Sequence, residues 1–248
     1  MAKKGQPRRQ KRLSVSPARK LLRKEAIWTI RQKPGPHTSV NSIPLGFVVR
    51  DLLGLARTLR EAKHIINAGN VLVDNISRKK YQFAAGLFDT ISIPIIGKKY
   101  RILLDKKGRL IIKEIEEKMA DIKPSKIVGK KIVQGNKLMI QTHDGKTYHG
   151  IGNELRVGDS VLVDIQTKKI LSHLSLKQGS NVYVIGGTHV GEVAAIENIL
   201  EGTMKRDKLV DLKEKNESFQ TTARNIMVVD EETANWIRKA FEERGEAE

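Results

Sequence analysis

Residues 58–74 have the sequence TLREAKHIINAGNVLVD, and this stretch predicts a short helix followed by a strand. Thr58 and Glu61 form a T-x-x-E capping box, which is typical of the first turn of a helix. Gly69 can adopt the left-handed conformation that commonly ends a helix. The apolar, partly β-branched residues 71–73 then predict a short strand.

The predicted helix has two chemically different faces. Its apolar face consists of Ala62, Ile65 and Ile66. The opposite face carries basic and hydrogen-bonding side chains at i, i+3, i+4 and i+7 spacing: Arg60, Lys63, His64 and Asn67. Arg57 lies just before the helix and Arg50 lies in the preceding segment, so both extend the positive charge. We therefore expect one face to pack and the other to bind RNA.

A further helix is predicted just before this one. Ser42 can cap it, Pro44 suits its first turn, and Gly54 can end it. Its apolar residues have amphipathic spacing: Leu45, Val48, Val49 and Leu52. The sequence also favours a short helix within residues 18–30 and strands at residues 78–83 and 90–95.

Positive charge dominates the chain and indicates a nucleic-acid partner. Lys and Arg total 46 and Asp and Glu total 28, which gives a net charge of +18. Residues 1–41 form a basic N-terminal extension, and up to Lys33 its only acid is Glu25. We expect this extension to become ordered only against a polyanion. Its candidate RNA-binding residues are Lys3, Lys4, Arg8, Arg9, Lys11, Arg12, Arg19, Lys20, Arg23 and Lys24.

The predicted fold class is α+β with several domains. Residues 42–95 contain the two helices, and the closely spaced short strands of residues 96–173 predict a central all-β domain. Residues 174–229 predict a small β-barrel, and residues 230–248 predict a C-terminal helix with an acidic tail. The predicted hairpins pair residues 100–104 with 110–113, 137–142 with 146–149, and 160–165 with 170–174.

Two local motifs resemble known modules. Residues 58–74 resemble the core of the S-four RNA-binding domain, although Leu59 stands where many members have Arg. This resemblance implies two helices against a small sheet, with the basic helix face bound to structured RNA. Residues 178–196 resemble a KOW motif, a short β-barrel element whose Gly-rich turn would here contain Gly187, His189 and Gly191.

The ordered set of motifs resembles the archaeal and eukaryotic-type small-subunit ribosomal proteins of the S-four-e family over nearly the whole chain. The motifs are KRL at 11–13, PGPH at 34–37, GLFDTISI at 86–93, THDG at 142–145, VGDSV at 157–161 and the GG turn at 186–187. The resemblance implies a basic arm, an S-four domain, a central β domain and a KOW domain, all bound to small-subunit ribosomal RNA.

This resemblance implies small-subunit ribosomal RNA and neighbouring ribosomal proteins as partners. We expect binding mainly through phosphate contacts and RNA shape, because aromatic residues make up only 4% of the chain. The chain has no cysteine, and no apolar run approaches the roughly 20 residues of a membrane span. We expect a cytoplasmic, ribosome-bound protein that is not a homo-oligomer and has no cofactor, no metal and no membrane contact.

Enzymatic motifs are weak in this sequence. Gly145, Lys146 and Thr147 resemble the end of a P-loop, but Ile140 stands where that motif needs Gly. The six histidines form no pair at helical metal-ligand spacing. Two other functions remain open: a free RNA-binding translation or transcription accessory factor, and an RNA-modifying enzyme with an S-four domain. The enzyme would need a large catalytic domain, whereas the sequence predicts small β modules.

Overall fold

The structure is a computed structural model, and it describes residues 9–135, 137–149, 154–203, 206–214 and 217–242. The chain forms two compact units. The first unit extends to Leu103 and includes Arg109–Glu114, whereas the second contains Leu104–Gly108 and the chain from Ile115 onward. Sheets dominate both units and helices are few, in agreement with the predicted α+β class.

The first unit combines short strands with a helix pair. Its helices are α1 (Leu45–Phe47), which continues as a π-helical turn over Val48–Leu52, and α2 (Leu59–Asn67). Its strands are β1 (Gln10–Lys11), β2 (Trp28–Thr29), β3 (Ser42–Pro44), β4 (Leu72–Val73), β5 (Ile76–Ser77), β6 (Ala84–Gly86), β7 (Thr90–Ile93), β8 (Lys98–Leu104) and β9 (Leu110–Glu114). They form a five-stranded sheet in the order β5-β4-β7-β8-β9 and two ribbons, β1-β2 and β3-β6.

The second unit is built mainly from two five-stranded sheets. Its strands are β10 (Ile122–Val133), β11 (Lys137–Thr142), β12 (Thr147–His149), β13 (Ser160–Asp164), β14 (Ile170–Leu174), β15 (Asn181–Val184), β16 (Val193–Leu200), β17 (Leu209–Glu214), β18 (Glu217–Thr222) and β19 (Ile226–Val228). The sheet orders are β12-β11-β10-β13-β14 and β18-β17-β16-β15-β19, and each sheet has its own apolar core. The helices are α3 (Glu117–Ala120) and α4 (Glu231–Glu242).

The cap predicted for the first helix is wrong, although the helix itself is present. Ser42 lies in β3, and the helix begins after Pro44 without a side-chain cap. The Ser42 hydroxyl is used elsewhere, because it accepts a hydrogen bond from the Gln32 amide at 2.8 Å and donates to the Thr38 carbonyl. Gly54 has a φ of +65°, as expected for a residue that ends a helix.

Two predicted elements are absent from the described residues. Residues 18–30 form no helix there, and strand β2 lies at their end. Residues 78–83 form turns instead of a strand, since the Phe83 amide donates to the Lys80 carbonyl at 3.0 Å and the Arg78 guanidinium lies 4.5 Å above the Phe83 ring. At residues 78–83 these contacts override the local strand pattern.

Residues 9–41 of the N-terminal extension pack against the rest of the first unit. Val15, Ala18 and Ile30 are buried. The Leu110 amide donates to the Ala18 carbonyl at 2.7 Å, which joins the extension to β9. These three apolar side chains stabilise a segment whose overall composition resembles that of a disordered tail.

Strand β10 is the long element that connects the hairpins of the central sheet, and it was not predicted. Its first half pairs with β13 and its second half pairs with β11. A β-bulge between Ile127 and Gly129 separates the halves and lets one strand serve both partners. Pro124 lies within the strand, and proline ordinarily argues against a central strand position.

A buried ion pair joins β10 to the β11–β12 turn. The Lys123 ammonium lies 3.2 Å from the Asp144 carboxylate, and both side chains are 1% exposed. Asp144 also accepts a hydrogen bond from the Thr142 hydroxyl and lies 3.4 Å from the Lys146 ammonium. Burial by itself would raise the pKa of Asp144, but Lys123, together with His143, Thr142 and Lys146, lowers it well below its usual value.

Replacing the buried carboxylate should destabilise the second unit in a pH-dependent way. Asp144→Asn leaves Lys123 without its buried counter-charge and should cost about 3–5 kcal/mol of unfolding free energy at neutral pH. Because the folded-state pKa of Asp144 lies below its unfolded value of about 3.9, the ion pair stabilises the fold above that pH and loses its effect as the pH falls further. Urea unfolding of the parent and the variant from pH 7 to pH 2 measures this difference, which should begin to shrink below about pH 4.

The matched control is Lys146→Met, which removes the partner at the surface. The Lys146 side chain is 37% exposed, so this variant should lose less than about 1 kcal/mol. An Asp144→Asn variant as stable as the parent at pH 7 would contradict the assigned role of the ion pair.

Candidate nucleic-acid interface

Helix α2 has the two faces that its sequence predicts. Ala62 and Ile66 are fully buried, whereas Arg60, His64 and Asn67 are exposed. Lys63 is half-buried, and its ammonium lies 4.5 Å above the Tyr81 ring. The four residues of the predicted basic face line one shallow cleft: Arg60, Lys63, His64 and Asn67. With the exposed Arg57, these four residues form a surface that we call the α2 face. The cleft is completed by Leu55, Thr58, Glu61 and Ile65.

The only acid in this helix is committed to the cap. The Glu61 carboxylate accepts hydrogen bonds from the Arg57 amide at 2.9 Å and from the Thr58 hydroxyl at 3.0 Å. The Arg57 hydrogen bond is the main cause of a lowered pKa for Glu61, so the carboxylate stays ionised at the helix N-terminus. The Glu61 amide in turn donates to the Thr58 hydroxyl, which confirms the predicted capping box.

Arg50 contributes less free charge than its sequence position indicates. Its guanidinium lies 2.8 Å from the Asp51 carboxylate, and the two side chains are about equally half-buried. Since an adjacent counter-charge already neutralises Arg50, we expect the α2 face to depend mainly on Arg57, Arg60 and Lys63.

A basic loop beside the end of α2 was missed by the sequence interpretation. Lys79 and Lys80 are exposed in the turn that replaces the strand predicted at residues 78–83. The Ser77 hydroxyl donates to the Gly69 carbonyl at 3.1 Å, and this hydrogen bond holds the start of the loop against the end of the helix. The Arg-Lys-Lys run at 78–80 is the sequence signal for this basic loop, although the local pattern predicts a strand there.

The basic extension divides into exposed and buried residues. Lys3, Lys4 and Arg8 lie outside the described residues. The exposed members of the predicted set are Arg9, Lys11, Lys20, Arg23 and Lys24. Arg12 and Arg19 are each 5% exposed, so they have little surface to offer to a phosphate.

Arg12 and Arg19 hold the extension in place through contacts within the first unit. The Arg12 guanidinium pairs with Glu25 at 2.8 Å. The Arg19 guanidinium donates to the Ser42 carbonyl at 3.1 Å and to the Gln32 side chain. Burial lowers the pKa of Arg19 to about 10, which leaves the guanidinium charged at neutral pH.

A buried histidine joins the extension to the β6–β7 turn. The His37 imidazole lies 3.0 Å from the Asp89 carboxylate, and the same carboxylate accepts from the Gly86 amide at 2.8 Å. The His37 ring lies directly against Gly86, where an added Cβ would come within 2.3 Å of the ring. This contact joins the PGPH segment to the GLFD segment.

The residues assigned to a KOW turn, Gly187, His189 and Gly191, have backbone conformations or side-chain contacts that fix the turn. Gly187 and Gly191 have φ values of +100° and +87°. A Cβ at Gly191 would lie 2.9 Å from the Leu104 carbonyl oxygen, so only glycine fits there. The His189 ring stacks on Phe219 at 4.0 Å and lies 2.9 Å from the Glu192 carboxylate.

The residues that the structure describes contain no group of three or more His, Cys, Asp or Glu side chains that could hold a metal ion. Within the same part of the chain, no helix has the length and apolar character needed to cross a membrane.

Comparison with known proteins agrees with this architecture. The model of Ribosomal family S4e matches residues 96–170. Small ribosomal subunit protein eS4 of Archaeoglobus fulgidus is 41% identical over 220 residues, which cover 89% of this chain and 92% of that protein. The protein of the same name from Methanosphaera stadtmanae is 38% identical over 229 residues, which cover 92% and 95% of the two chains.

A solved structure has the same fold over most of its length. The crystal structure of 30S ribosomal protein S4e from Thermoplasma acidophilum matches with a TM-score of 0.68 and 29% identity, covering 76% of this chain and 95% of that one. Identity of this extent over nearly the whole length of the eS4 relatives defines a ribosomal protein. More narrowly, the chain belongs to ribosomal family S4e.

The contact between His37 and Gly86 should control how firmly the extension is held. Gly86→Ala places a Cβ against the imidazole, which should weaken docking, cost about 1–3 kcal/mol and speed tryptic cleavage at Lys20 and Arg23. Gly35→Ala is the matched control, because its Cβ would meet Ala84 at an ordinary 3.5 Å. Limited proteolysis followed by mass spectrometry measures both, and equal cleavage rates would show that the contact does not hold the extension.

Proposed function

We propose that this chain, a structural constituent of the small ribosomal subunit by its family, binds ribosomal RNA through the α2 face and the exposed extension. The observation that carries the proposal is the separation of charge on α2. Arg60 and Lys63 lie on one side of the helix, and Glu61 is held at its cap by hydrogen bonds. Glu61 borders the same cleft, but its carboxylate is engaged by the Arg57 amide and the Thr58 hydroxyl, so the three basic residues dominate the face.

Phosphate contacts account best for such a surface. Lys and Arg side chains neutralise backbone phosphates and release counterions, which gives affinity with little dependence on base sequence. A-form RNA presents its backbone and 2′-hydroxyls more openly than its base edges, so His64 and Asn67 can add hydrogen bonds to the sugar–phosphate surface. The neighbouring Lys79 and Lys80 extend the same contact beyond the helix.

The proposed organisation keeps the divisions expected from the sequence. Residues 1–41 are the basic extension, and residues 42–95 are an S-four-like RNA-binding domain with α1 and α2 against the sheet. Residues 96–173 are the central β domain, residues 174–229 are a KOW-like unit, and residues 230–248 are the C-terminal helix and tail. The glycine φ values at the Gly187–Gly191 turn support the KOW-like assignment.

A role as a stable subunit component is favoured over the two alternatives. The family is one of ribosomal proteins, so a cytoplasmic, ribosome-bound location with RNA and neighbouring ribosomal proteins as partners follows from membership. We propose that the chain has no catalytic activity and acts as a single copy, which separates it from an RNA-modifying enzyme. High identity across almost the full length of eS4 relatives favours the ribosome over a free accessory factor.

Reversing charge on the α2 face should weaken RNA binding without unfolding the protein. Arg60→Glu combined with Lys63→Glu should raise the Kd for small-subunit ribosomal RNA at least tenfold. Because two phosphate contacts are lost, the slope of log Kd against the logarithm of the salt concentration should fall by roughly 2. The unfolding free energy should fall by only about 1 kcal/mol, because the Lys63–Tyr81 contact is lost. Filter binding across a salt series and thermal unfolding measure the two effects.

The control is Arg238→Glu combined with Lys239→Glu on α4, which makes the same charge change at exposed positions of the second unit. This control should bind almost as tightly as the parent protein. Equal losses in the two double variants would mean that net charge alone governs binding, and the α2 face would have no special role.

A further inference from the structure

We propose that a groove in the N-terminal extension binds an unpaired RNA nucleotide, whose base stacks on the exposed indole of Trp28. The inference rests on the proposed function for its class of partner, RNA. It adds a distinct mode of contact, because the α2 face is assigned to phosphates and this groove to a base. We call it the arm groove, and its principal residues are Arg9, Lys11, Trp28, Arg31 and Lys33.

The β1–β2 ribbon positions the indole beside positive charge. Lys11 and Trp28 are direct partners in the antiparallel register, so their side chains emerge on the same face of the ribbon. The Arg12 amide donates to the Ile27 carbonyl at 2.9 Å and extends the ladder. The Arg9 guanidinium lies 5.8 Å from the centroid of the Trp28 ring, within the range of a cation–π contact.

Trp28 is unusual in its exposure. Its side chain is 49% exposed, and among the described Phe, Tyr and Trp residues it is the only one in the exposed class. Large aromatic side chains gain most from burial, so one held on a strand and half open to water is a candidate contact surface. An indole presents a flat π face on which any of the four bases can stack.

The groove has the size and the charge that a nucleotide needs. Its volume is about 1280 Å³, enough for a nucleotide with its flanking phosphates, and its lining residues include four basic side chains and no acid. Glu25, the only acid in the first 33 residues, is engaged with Arg12 at 2.8 Å. Gln10 also lines the groove and can supply a donor and an acceptor for a base edge, whereas the Gln32 side chain is engaged with Arg19 and Ser42.

This combination favours an unpaired nucleotide over a duplex. Bases within a duplex already stack on one another, so their faces are closed to a side chain. Lys11 and Lys33, both exposed, can neutralise the phosphates on either side of a base that has left the stack. Recognition by stacking would be tolerant of base identity, and its affinity would combine a π contact with charge neutralisation.

Fluorescence can report on the indole directly. The chain has two tryptophans, and Trp236→Phe in the full-length protein leaves Trp28 as the only one. A single-stranded oligoadenylate of about ten nucleotides should quench the Trp28 emission on binding. Heparin, a polyanion without bases, should bind without comparable quenching. Equal quenching by heparin, or no quenching by the oligoadenylate at saturation, would overturn the proposal.

Substitution of Trp28 provides a second, independent test. Trp28→Leu keeps apolar volume but loses the ring, and it should raise the Kd for a labelled oligoadenylate by about 5- to 100-fold. Trp28→Phe should retain most of the affinity, and Ile27→Ala, at a neighbouring side chain that is 70% exposed, should have little effect. Equal binding by the Leu and Phe variants would contradict stacking.

The test of the arm groove can fail without the proposed function failing, because the two use different RNA probes. The Trp28→Leu variant should retain the salt-dependent binding to ribosomal RNA that the α2 face provides. Loss of oligoadenylate binding with retention of ribosomal RNA binding supports both assignments. Failure of the parent protein to bind ribosomal RNA would instead reject the proposed function itself.

Discussion

Repulsion among like charges is the constraint on which the first unit of this structure depends. A chain with a net charge of +18 can fold only if its cations are paired inside the protein or turned toward solvent and a partner. The N-terminal extension does both. Arg12 and Arg19 are buried against a carboxylate, a carbonyl and an amide, while Lys20, Arg23 and Lys24 remain exposed. The two buried arginines hold the extension in place, and the three exposed residues remain available to bind an anion.

The second unit uses buried cations for a different purpose. Lys126 donates to the carbonyls of Ala223, Arg224 and Ile226 at 2.7–2.9 Å, which joins β10 to the turn before β19. Lys123, which also lies in β10, forms an ion pair with the Asp144 carboxylate. These charges are satisfied within the unit and stabilise its two sheets. Positive charge therefore has a structural role in the second unit and is offered to a partner mainly by the first.

Local signals in the sequence were sufficient for α2 and the hairpins, because caps, glycine turns and apolar spacing act over a few residues. The capping box at Thr58 and the turn at Gly145 are of this kind. Contacts between distant residues were not predictable in the same way. Strand β10 passes through Pro124, and the turns at 78–83 depend on Arg78 packing over Phe83. The arm groove was missed because it depends on the pairing of Lys11 with Trp28.

The central claim is that the first unit presents its unpaired positive charge to ribosomal RNA. Crosslinking within intact small ribosomal subunits that contain this chain, followed by mass spectrometry of peptide–RNA adducts, tests it most directly. The account predicts adducts on peptides that carry Lys20, Lys24, Lys63 and Lys79, all in the first unit. Adducts confined to the second unit, or none to ribosomal RNA, would contradict it.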